Sequence, residues 1–241
     1  MAILTGLLCR SGQGNLVPGG GSLTRGFSAL PTRAGANTEA LVTNRPVIYL
    51  VRHGATEWAL SGRHTGTTDV PLTTQGESDA TSVGRRLATG ASPIREVWTS
   101  PRIRARRTAE LALAGAGLPV PPPVRVREDL AEWDYGAYEG LTSAEIAERD
   151  PDWTLWTHGG PGGETPDQVS ARADRVLADL LRAEGPVAVF SHGHFLRALS
   201  ARWVGLDVGW GRILTLGAGA LSLLGWEHDD RTIHLWNQPP G

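Results

Sequence analysis

The chain has 241 residues, of which 40% are hydrophobic and 20% are charged, and this is the composition of an ordinary soluble globular protein. The length suffices for one well-packed domain, and the formal net charge of −2 at pH 7 gives no reason to expect nucleic acid or an anionic membrane as a partner. All 23 basic residues are arginine and Cys9 is the single cysteine, which excludes a Walker-type lysine, a Schiff base, a disulfide framework and a thiolate metal cluster.

Residues 1–45 differ in composition from the rest of the chain. They are rich in Gly, Ser, Thr and Leu, and they carry several arginines against one acidic residue, Glu39. No periodic pattern extends over more than a few residues, which predicts a disordered extension. The same composition is typical of a transit peptide, and a start codon placed upstream of the true one is a third interpretation. Residues 46–241 are the expected folded domain.

From residue 47 onward, short apolar segments alternate with segments of helical periodicity. Strands are predicted at residues 47–51, 97–98 and 187–190, with a closing hairpin at residues 221–226 and 232–236. Helices are predicted at residues 76–89, from 101 to about 113, from 165 to 184 and from about 195 to 204. Thr165, Pro166 and Gln168 indicate a capping box with proline at the first helical position. The alternation predicts an α/β fold of three layers, α/β/α, with a mostly parallel central sheet.

Two of the predicted strands end in histidine-containing turns. The first strand ends in Arg52-His53-Gly54, and a later strand ends in Ser191-His192-Gly193-His194. Ligands of open α/β sheets bind outside the carboxyl ends of the strands, so both imidazoles are expected at one place. Imidazoles beside an arginine suit a phosphate better than a metal or a sugar.

Two further segments add charged groups. The basic helix contains Arg102, Arg104, Arg106 and Arg107, and its spacing puts Arg102 and Arg106 on one face while Arg104 points toward the inner side. Arg106 and Arg107 are more simply interpreted as solvated surface residues, and Arg102 is either such a residue or a phosphate contact. Residues 130–140 form a loop of aromatic and acidic residues that is too apolar for a surface turn.

Taken together, these motifs resemble the phosphoglycerate-mutase-like branch of the histidine phosphatase superfamily. The resemblance covers residues 47–238 and includes Arg52-His53-Gly54, the Ser100-to-Ala109 helix start, the loop with Glu132, and Ser191-His192-Gly193-His194. Residues 61–73 and the 132–136 loop are similar to those of sedoheptulose-bisphosphatase-type enzymes and actinobacterial acid phosphatases.

The resemblance implies roles for particular residues. His53 is the implied nucleophile that forms a phosphohistidine, and Glu132 is the implied general acid and base, with Glu139 and Asp134 as alternatives. Arg52, Arg104 and His192 are expected to surround the phosphoryl oxygens in place of a metal ion. The remaining expected substrate or phosphate contacts are Gly54, His64, Thr65, Gly66, Arg102 and Gly193.

Other residues are expected to be structural. His194 is expected to pack rather than to face the substrate, and His158 is expected to lie in a plain loop. Trp153, Trp156 and Trp203 are more simply interpreted as core residues than as ligand platforms.

The expected function is hydrolysis of phosphomonoesters through a phosphohistidine, without metal or cofactor, on a small phosphorylated metabolite such as a sugar phosphate or bisphosphate, or with the broad range of an acid phosphatase. A phosphoglycerate mutase is the alternative, although Ala59 stands where mutases carry asparagine and the segment beyond Glu132 is poor in basic residues. A catalytically inactive phospho-ligand-binding module is the alternative of another class. No apolar stretch approaches the roughly 20 residues that cross a bilayer, and the net charge is small, so we expect no membrane and no nucleic-acid partner. We expect a cytoplasmic location. A homodimer is possible, and the sequence does not decide the oligomeric state.

Overall fold

The central sheet is assembled from short apolar segments in a computed structural model that describes residues 45–90 and 93–241. The predicted extension therefore lies, apart from Arg45, outside the described residues. Within them the sheet has six strands in the order β3-β2-β4-β1-β5-β6. These are β1 (Ile48–Arg52), β2 (Glu96–Thr99), β3 (Val124–Val126), β4 (Val187–Ser191), β5 (Leu221–Glu227) and β6 (Asp230–Gln238). The pairs β3-β2, β2-β4 and β4-β1 are parallel, whereas β5 runs antiparallel to β1 and pairs with β6 as a hairpin. The predicted mostly parallel sheet with a closing hairpin is confirmed.

Helices cover the sheet. They are α1 (Glu57–Leu60), α2 (Thr74–Ala88), α3 (Ile103–Ala116), α4 (Ser143–Ala147), α5 (Leu155–His158), α6 (Pro166–Leu180) and α7 (Gly193–Trp203), with 3₁₀ turns at Glu128–Leu130, Gly136–Tyr138 and Val208–Ile213. None of the helices in the described part of the chain is long and apolar enough to cross a membrane.

The alternation of side chains along β1 divides the core between the two faces of the sheet. Tyr49 and Val51 pack in one apolar cluster with residues of α2 and α3, whereas Ile48 and Leu50 belong to a second cluster with residues of α6 and α7. Successive residues of a strand point to opposite faces, so the two clusters are the two interfaces of a three-layer arrangement. The predicted three layers are confirmed.

Most helix boundaries differ by a few residues from the sequence prediction, among them the bounds of α3, which are Ile103–Ala116 rather than 101 to about 113. Helix α7 begins at Gly193, two residues earlier than expected, and His192 is its N-cap residue. Helix α6 ends at Leu180 rather than at residue 184. Its predicted capping box, with Thr165 and Gln168 bonding reciprocally and Pro166 in the first turn, is present. The earlier start of α7 places its N-terminus next to the histidine turn.

Candidate active site

Three adjacent parallel strands deliver polar residues to one edge of the sheet. The His53 backbone N–H donates to the Ser191 carbonyl at 2.9 Å, and the Ser100 N–H donates to the Phe190 carbonyl at 3.0 Å. His53, Ser100 and His192 therefore follow β1, β2 and β4 in register. The rings of His53 and His192 lie with their centroids 5.2 Å apart. The expected convergence of the two histidine turns is what the structure shows.

The hydrogen bonds of His53 define which of its nitrogens can react. Its Nδ1 lies 2.8 Å from the Gly54 carbonyl oxygen. Since a carbonyl can only accept, Nδ1 carries the proton and Nε2 keeps its lone pair. Burial, and secondarily the nearby Arg52 and Arg104, hold the His53 pKa well below its ordinary value. His53 is therefore a neutral imidazole with a free lone pair on Nε2.

His192 forms its hydrogen bond through the other ring nitrogen, Nε2. Its Nε2 lies 2.7 Å from the Ser100 hydroxyl, while Nδ1 is buried and has no partner among the described residues. Burial, followed by Arg104, His53 and Arg102, holds the pKa of His192 well below its ordinary value. The ring thus carries an unsatisfied buried nitrogen beside several cations.

Three arginines surround this pair of histidines and are incompletely paired. Arg52 donates from Nη1 to the Leu216 carbonyl at 2.5 Å, and Arg104 donates to the Thr65 and Thr68 carbonyls at 2.8 Å each. Their Nε atoms, and that of Arg102, are buried without a partner in the described part of the chain. Burial lowers the pKa of Arg52 and of Arg104, and the carboxylate of Glu132 opposes this effect.

Glu132 is held at the N-terminus of α7. Its Oε1 accepts the N–H groups of Trp133 and Phe195 at 2.8 Å each, and its Oε2 accepts the N–H of His194 at 3.0 Å. Helix N-termini attract anions, and these donors fix the carboxyl group in one orientation. Both acceptor positions of Oε1 are used, so Oε2 is the atom with capacity left to accept or carry a proton.

A loop at residues 65–68 is held between Arg104 and Glu139. Arg104 donates to its carbonyls, and the Glu139 carboxylate accepts the N–H groups of Gly66 and Thr68 at 2.9 and 3.0 Å. Arg104 is fully buried, its Nη atoms donate to three backbone carbonyls of this loop, and its Nε is buried without a partner among the described residues. Glu139 likewise fixes a loop.

The cavity at this edge has a volume of about 210 Å³. Of the residues predicted to contact substrate, those on its wall are Arg52, His53, His64, Thr65, Glu132 and Gly193. Gly54, Gly66, Arg102, Arg104 and His192 do not line it. Arg102, Arg104 and His192 each have a buried side-chain nitrogen without a partner among the described residues.

The structure shows that backbone packing requires glycine at position 54, whereas the resemblance implied a close approach to a phosphate. A Cβ atom at Gly54 would lie 2.4 Å from the Gly76 carbonyl oxygen, so the backbone of the first turn of α2 occupies that space. A Cβ atom at Gly66 would likewise lie 2.6 Å from the Trp133 carbonyl oxygen. Both glycines permit close packing between backbone segments.

Several residues of the cavity wall were missed by sequence reasoning or misplaced by it. Arg63, Tyr135 and Arg197 line the cavity, and none of them was predicted to do so. His194 packs against the rings of Tyr135 and Trp156, as expected, and it also lines the cavity. The start of α7 at Gly193 is the reason, because it turns His194 and Arg197 to the same side of the helix. An i, i+3 spacing after the histidine turn is the sequence signal that could have found Arg197.

The other expected structural residues divide into two groups. Trp203 is fully buried in the core. Trp153 and Trp156 are partly buried, pack against the core, and also contact the rings of His64 and His194 respectively. His158 is exposed at the end of the short helix α5, where its Nδ1 bonds within the helix.

The fold and the arginine-lined histidine pair define the class of protein. The sequence model of the Histidine phosphatase superfamily (branch 1) matches residues 48–239. The chain therefore belongs to this family.

Individual relatives extend the comparison. The chain is 43% identical to an acid phosphatase of Mycobacterium tuberculosis over 77% of its own length and 89% of the relative. It is 38% identical to sedoheptulose 1,7-bisphosphatase of Saccharomyces cerevisiae, over 68% and 69% of the two chains. A 2,3-bisphosphoglycerate-dependent phosphoglycerate mutase of Caulobacter sp. is 32% identical, over 64% and 78%. The solved structure of an open reading frame product of Mycobacterium tuberculosis superposes with a TM-score of 0.75 at 40% identity, covering 81% of this chain and 98% of the other.

Proposed function

We propose that the protein hydrolyses phosphomonoesters of small metabolites through a phosphohistidine formed on His53. The observation that carries this proposal is the set of four buried nitrogens without a partner around the histidine pair, namely Nε of Arg52, Arg102 and Arg104 and Nδ1 of His192. Buried polar groups are normally satisfied, so a site that leaves several donors open is built for a ligand with many acceptors. A phosphoryl group has three equatorial oxygens and a charge that matches the guanidinium groups.

In the first half of the reaction, Nε2 of His53 attacks phosphorus in line with the ester oxygen. The N–P bond forms as the P–O bond to the leaving alcohol breaks. Glu132, protonated on Oε2, gives that proton to the departing oxygen, and the neutral alcohol leaves. The arginines and His192 stabilise the charge on the equatorial oxygens, which is the main catalytic contribution that phosphoryl transfer requires.

In the second half, a water molecule attacks the phosphohistidine. The Oε2 atom of Glu132, now ionised, removes a proton from the water, and the N–P bond breaks to return the electron pair to His53. Inorganic phosphate leaves and Glu132 is again protonated, so the cycle closes. The same carboxyl group serves both halves because it lies on the wall of the cavity beside His53.

The proposal includes independence from metal ions. Among residues 45–90 and 93–241 no group of three or more His, Cys, Asp or Glu side chains is arranged to hold a metal ion. The guanidinium groups supply the positive charge that a metal would otherwise bring to the phosphoryl oxygens. A small phosphorylated metabolite as substrate is supported by the relatives named acid phosphatase and sedoheptulose 1,7-bisphosphatase. A cytoplasmic location and a homodimer stay predictions.

A phosphoglycerate mutase is the second candidate, and the 32% identity to the mutase of Caulobacter sp. supports it. A mutase must keep its phosphohistidine from water until the phosphate is returned to substrate. The cavity wall carries no lysine, since the chain has none, and hydrolysis of the intermediate is the outcome that we expect. Purified protein given 3-phosphoglycerate should release inorganic phosphate and form little 2-phosphoglycerate. Accumulation of 2-phosphoglycerate without phosphate release would establish the mutase.

Trapping the intermediate tests the proposal directly. Acid-sensitive, alkali-stable labelling by a phosphoester, mapped by mass spectrometry, is expected on His53. Phosphate release from a panel of sugar phosphates, sugar bisphosphates and aryl phosphates is measured in parallel. A protein that binds phosphate but neither labels nor releases phosphate with any member of the panel would be an inactive phospho-ligand-binding module.

A further inference from the structure

The outer wall of the cavity contains a hydrogen-bonded pair, Tyr135 and His194, that the proposed chemistry does not use. The Tyr135 hydroxyl lies 2.6 Å from Nδ1 of His194. The backbone N–H of His194 is bound by Glu132, and Nε2 of its ring has no partner among the described residues. Both residues line the cavity.

The direction of this hydrogen bond follows from burial. Tyr135 is 2% exposed, and its hydroxyl has no other partner in the described part of the chain. If Nδ1–H donated to the tyrosine oxygen, the buried hydroxyl proton would have no acceptor, which is costly. If the hydroxyl donates to Nδ1, the hydroxyl proton and Nδ1 are both paired, and Nε2 is the ring nitrogen left without a partner among the described residues. His194 then carries its ring proton on Nε2.

The protonation states of both groups agree with this direction. Burial and the nearby Glu132 raise the pKa of Tyr135 well above its ordinary value, so the hydroxyl keeps its proton. Burial, Arg197 and His64 hold the pKa of His194 well below its ordinary value, so the ring is neutral. A neutral ring has one donor and one acceptor, and the tyrosine occupies the acceptor.

His64 lines the same cavity, and its Nδ1 meets a carbonyl oxygen rather than a hydroxyl group. Its Nδ1 lies 2.9 Å from the Leu141 carbonyl, which can only accept, so Nδ1 carries a proton. The rings of His64 and His194 are nearly parallel, at 3°, with centroids 5.9 Å apart. The wall therefore presents two histidine rings side by side, each bonded to the protein through its Nδ1.

We propose that Tyr135 is a positioning residue that holds the ring proton of His194 on Nε2, and that His194 donates this proton in a hydrogen bond to a hydroxyl group of the leaving alcohol. The preferred substrate class is then the phosphomonoester of a polyhydroxy alcohol such as a sugar, rather than a simple alkyl or aryl phosphate. The contact between His194 and the leaving alcohol rests on the proposed phosphatase function. The position of the ring proton on Nε2 of His194 does not depend on that function.

Nitrogen-15 NMR of the histidine rings tests the tautomer without any substrate. The wild-type His194 signal, assigned by its loss in His194→Ala, should show the proton on Nε2. Tyr135→Phe should return His194 to a mixture of tautomers, whereas Tyr138→Phe should leave it unchanged. Tyr138 is the matched control because its hydroxyl lies 3.4 Å from Asp150 and it does not line the cavity. A wild-type proton on Nδ1 would overturn the inference.

Two alkyl phosphates of equal chain length test the substrate contact. Glycerol 1-phosphate carries hydroxyl groups next to the ester, and n-propyl phosphate does not. His194→Ala should lower the ratio of kcat/KM for glycerol 1-phosphate to that for n-propyl phosphate about fivefold to tenfold, mainly through KM, because one neutral hydrogen bond is lost in binding. Tyr135→Phe should lower the same ratio about twofold, because only the part of the mixed population with the proton on Nε2 can donate. Tyr138→Phe should keep the wild-type ratio.

The double variant separates an effect through His194 from a general loss of structure. In a His194→Ala background, Tyr135→Phe should not change the ratio further, because Tyr135 affects the substrate only through the ring of His194, which that background lacks. Equal losses for both substrates, or an additional change in that background, would refute the positioning role. If the wild-type protein hydrolyses neither substrate nor any other phosphoester, the proposed function fails, while the NMR result still decides the tautomer.

Discussion

His53 and His192 face each other across adjacent parallel strands, with ring centroids 5.2 Å apart, yet they are bonded through different nitrogens. His53 donates a hydrogen bond from Nδ1 to the Gly54 carbonyl, and its Nε2 is free. His192 forms a hydrogen bond with the Ser100 hydroxyl through Nε2, and its Nδ1 is free. Two identical side chains therefore have different chemical capacities because their neighbours differ. His53 lines the cavity and His192 does not, which is the basis for proposing His53 as the nucleophile.

Replacement of either histidine distinguishes these roles. His53→Ala should abolish covalent labelling and lower turnover by several orders of magnitude, because the two-step route no longer exists. His192→Ala should lower turnover through lost charge stabilisation while His53 still labels. His158→Ala, at an exposed position on α5, is the control and should behave as wild type. Labelling that survives in His53→Ala but disappears in His192→Ala would reverse the two roles.

The elements that carry the site could be predicted because their signals are local. An apolar run that stops at a histidine turn marked both β1 and β4, and a capping box marked the start of α6. The strand β3 was missed because its three residues are exposed and follow a proline run, so no apolar pattern marks it. Short edge strands are held by pairing with a neighbour, which the sequence does not display.

The site was predicted less completely because side-chain contacts between distant segments decide it. Arg104 was correctly placed on the inner side of its helix, but its binding to the carbonyls of residues 65–68 depends on a loop from another part of the chain. Tyr135 and His194 are 59 positions apart in sequence and meet only in the fold. Residue type and spacing predict which groups are present, and the tertiary structure assigns their partners.

Phosphate or vanadate should stabilise the folded protein. Folding brings the unpaired nitrogens of Arg52, Arg102, Arg104 and His192 together, whereas the unfolded chain offers them singly, so an oxyanion should bind the folded state more tightly. At a ligand concentration of about 100 times Kd, the gain in free energy of unfolding is about 2.7 kcal/mol. The measurement is thermal unfolding with phosphate against chloride at equal ionic strength. Arg52→Gln should reduce the shift, and Arg106→Gln, at an exposed position of α3, should not.

The free energy of unfolding should fall as the pH is lowered below about 6.5. His53, His192 and His194 have pKa values well below the ordinary value of 6.5 when folded, because they are buried. In that range the unfolded chain binds protons that the folded protein does not, so stability decreases by up to about 1.4 kcal/mol per pH unit for each histidine. Asp179 and Glu145 also have lowered pKa values, but their ordinary values of 3.8 and 4.5 put their effect at lower pH.

Urea denaturation at several values from about pH 7.5 to about pH 5.5 measures this dependence. His194→Gln, which removes one of the three titrating groups, should show a smaller slope than the wild type. Stability that is constant over this range would mean that these histidines are protonated in the folded state.

Removal of metal ions should leave the activity unchanged. In the proposed mechanism the positive charge at the phosphoryl oxygens comes from arginine side chains, which chelators do not remove. Turnover is measured before and after dialysis against EDTA, and again after addition of Mg²⁺ or Zn²⁺. Loss of activity with EDTA and its recovery with either ion would refute a metal-free site.

The dependence on the leaving group should identify Glu132 as the acid. Glu132→Gln cannot give a proton to the departing oxygen, so hydrolysis of glycerol 1-phosphate should fall far more than hydrolysis of p-nitrophenyl phosphate, whose phenolate leaves without a proton. A difference of at least about tenfold between the two losses is expected for removal of general acid catalysis. The substitution also replaces an oxygen that accepts a backbone N–H of α7, so a stability loss of about 1–2 kcal/mol should accompany it.

Glu139→Gln and Asp134→Asn are the matched controls, because these carboxylates bind backbone N–H groups away from the cavity wall. Both should lower the two activities in equal proportion through loosened loops, and a selective loss for glycerol 1-phosphate in either control would assign the acid to that residue instead.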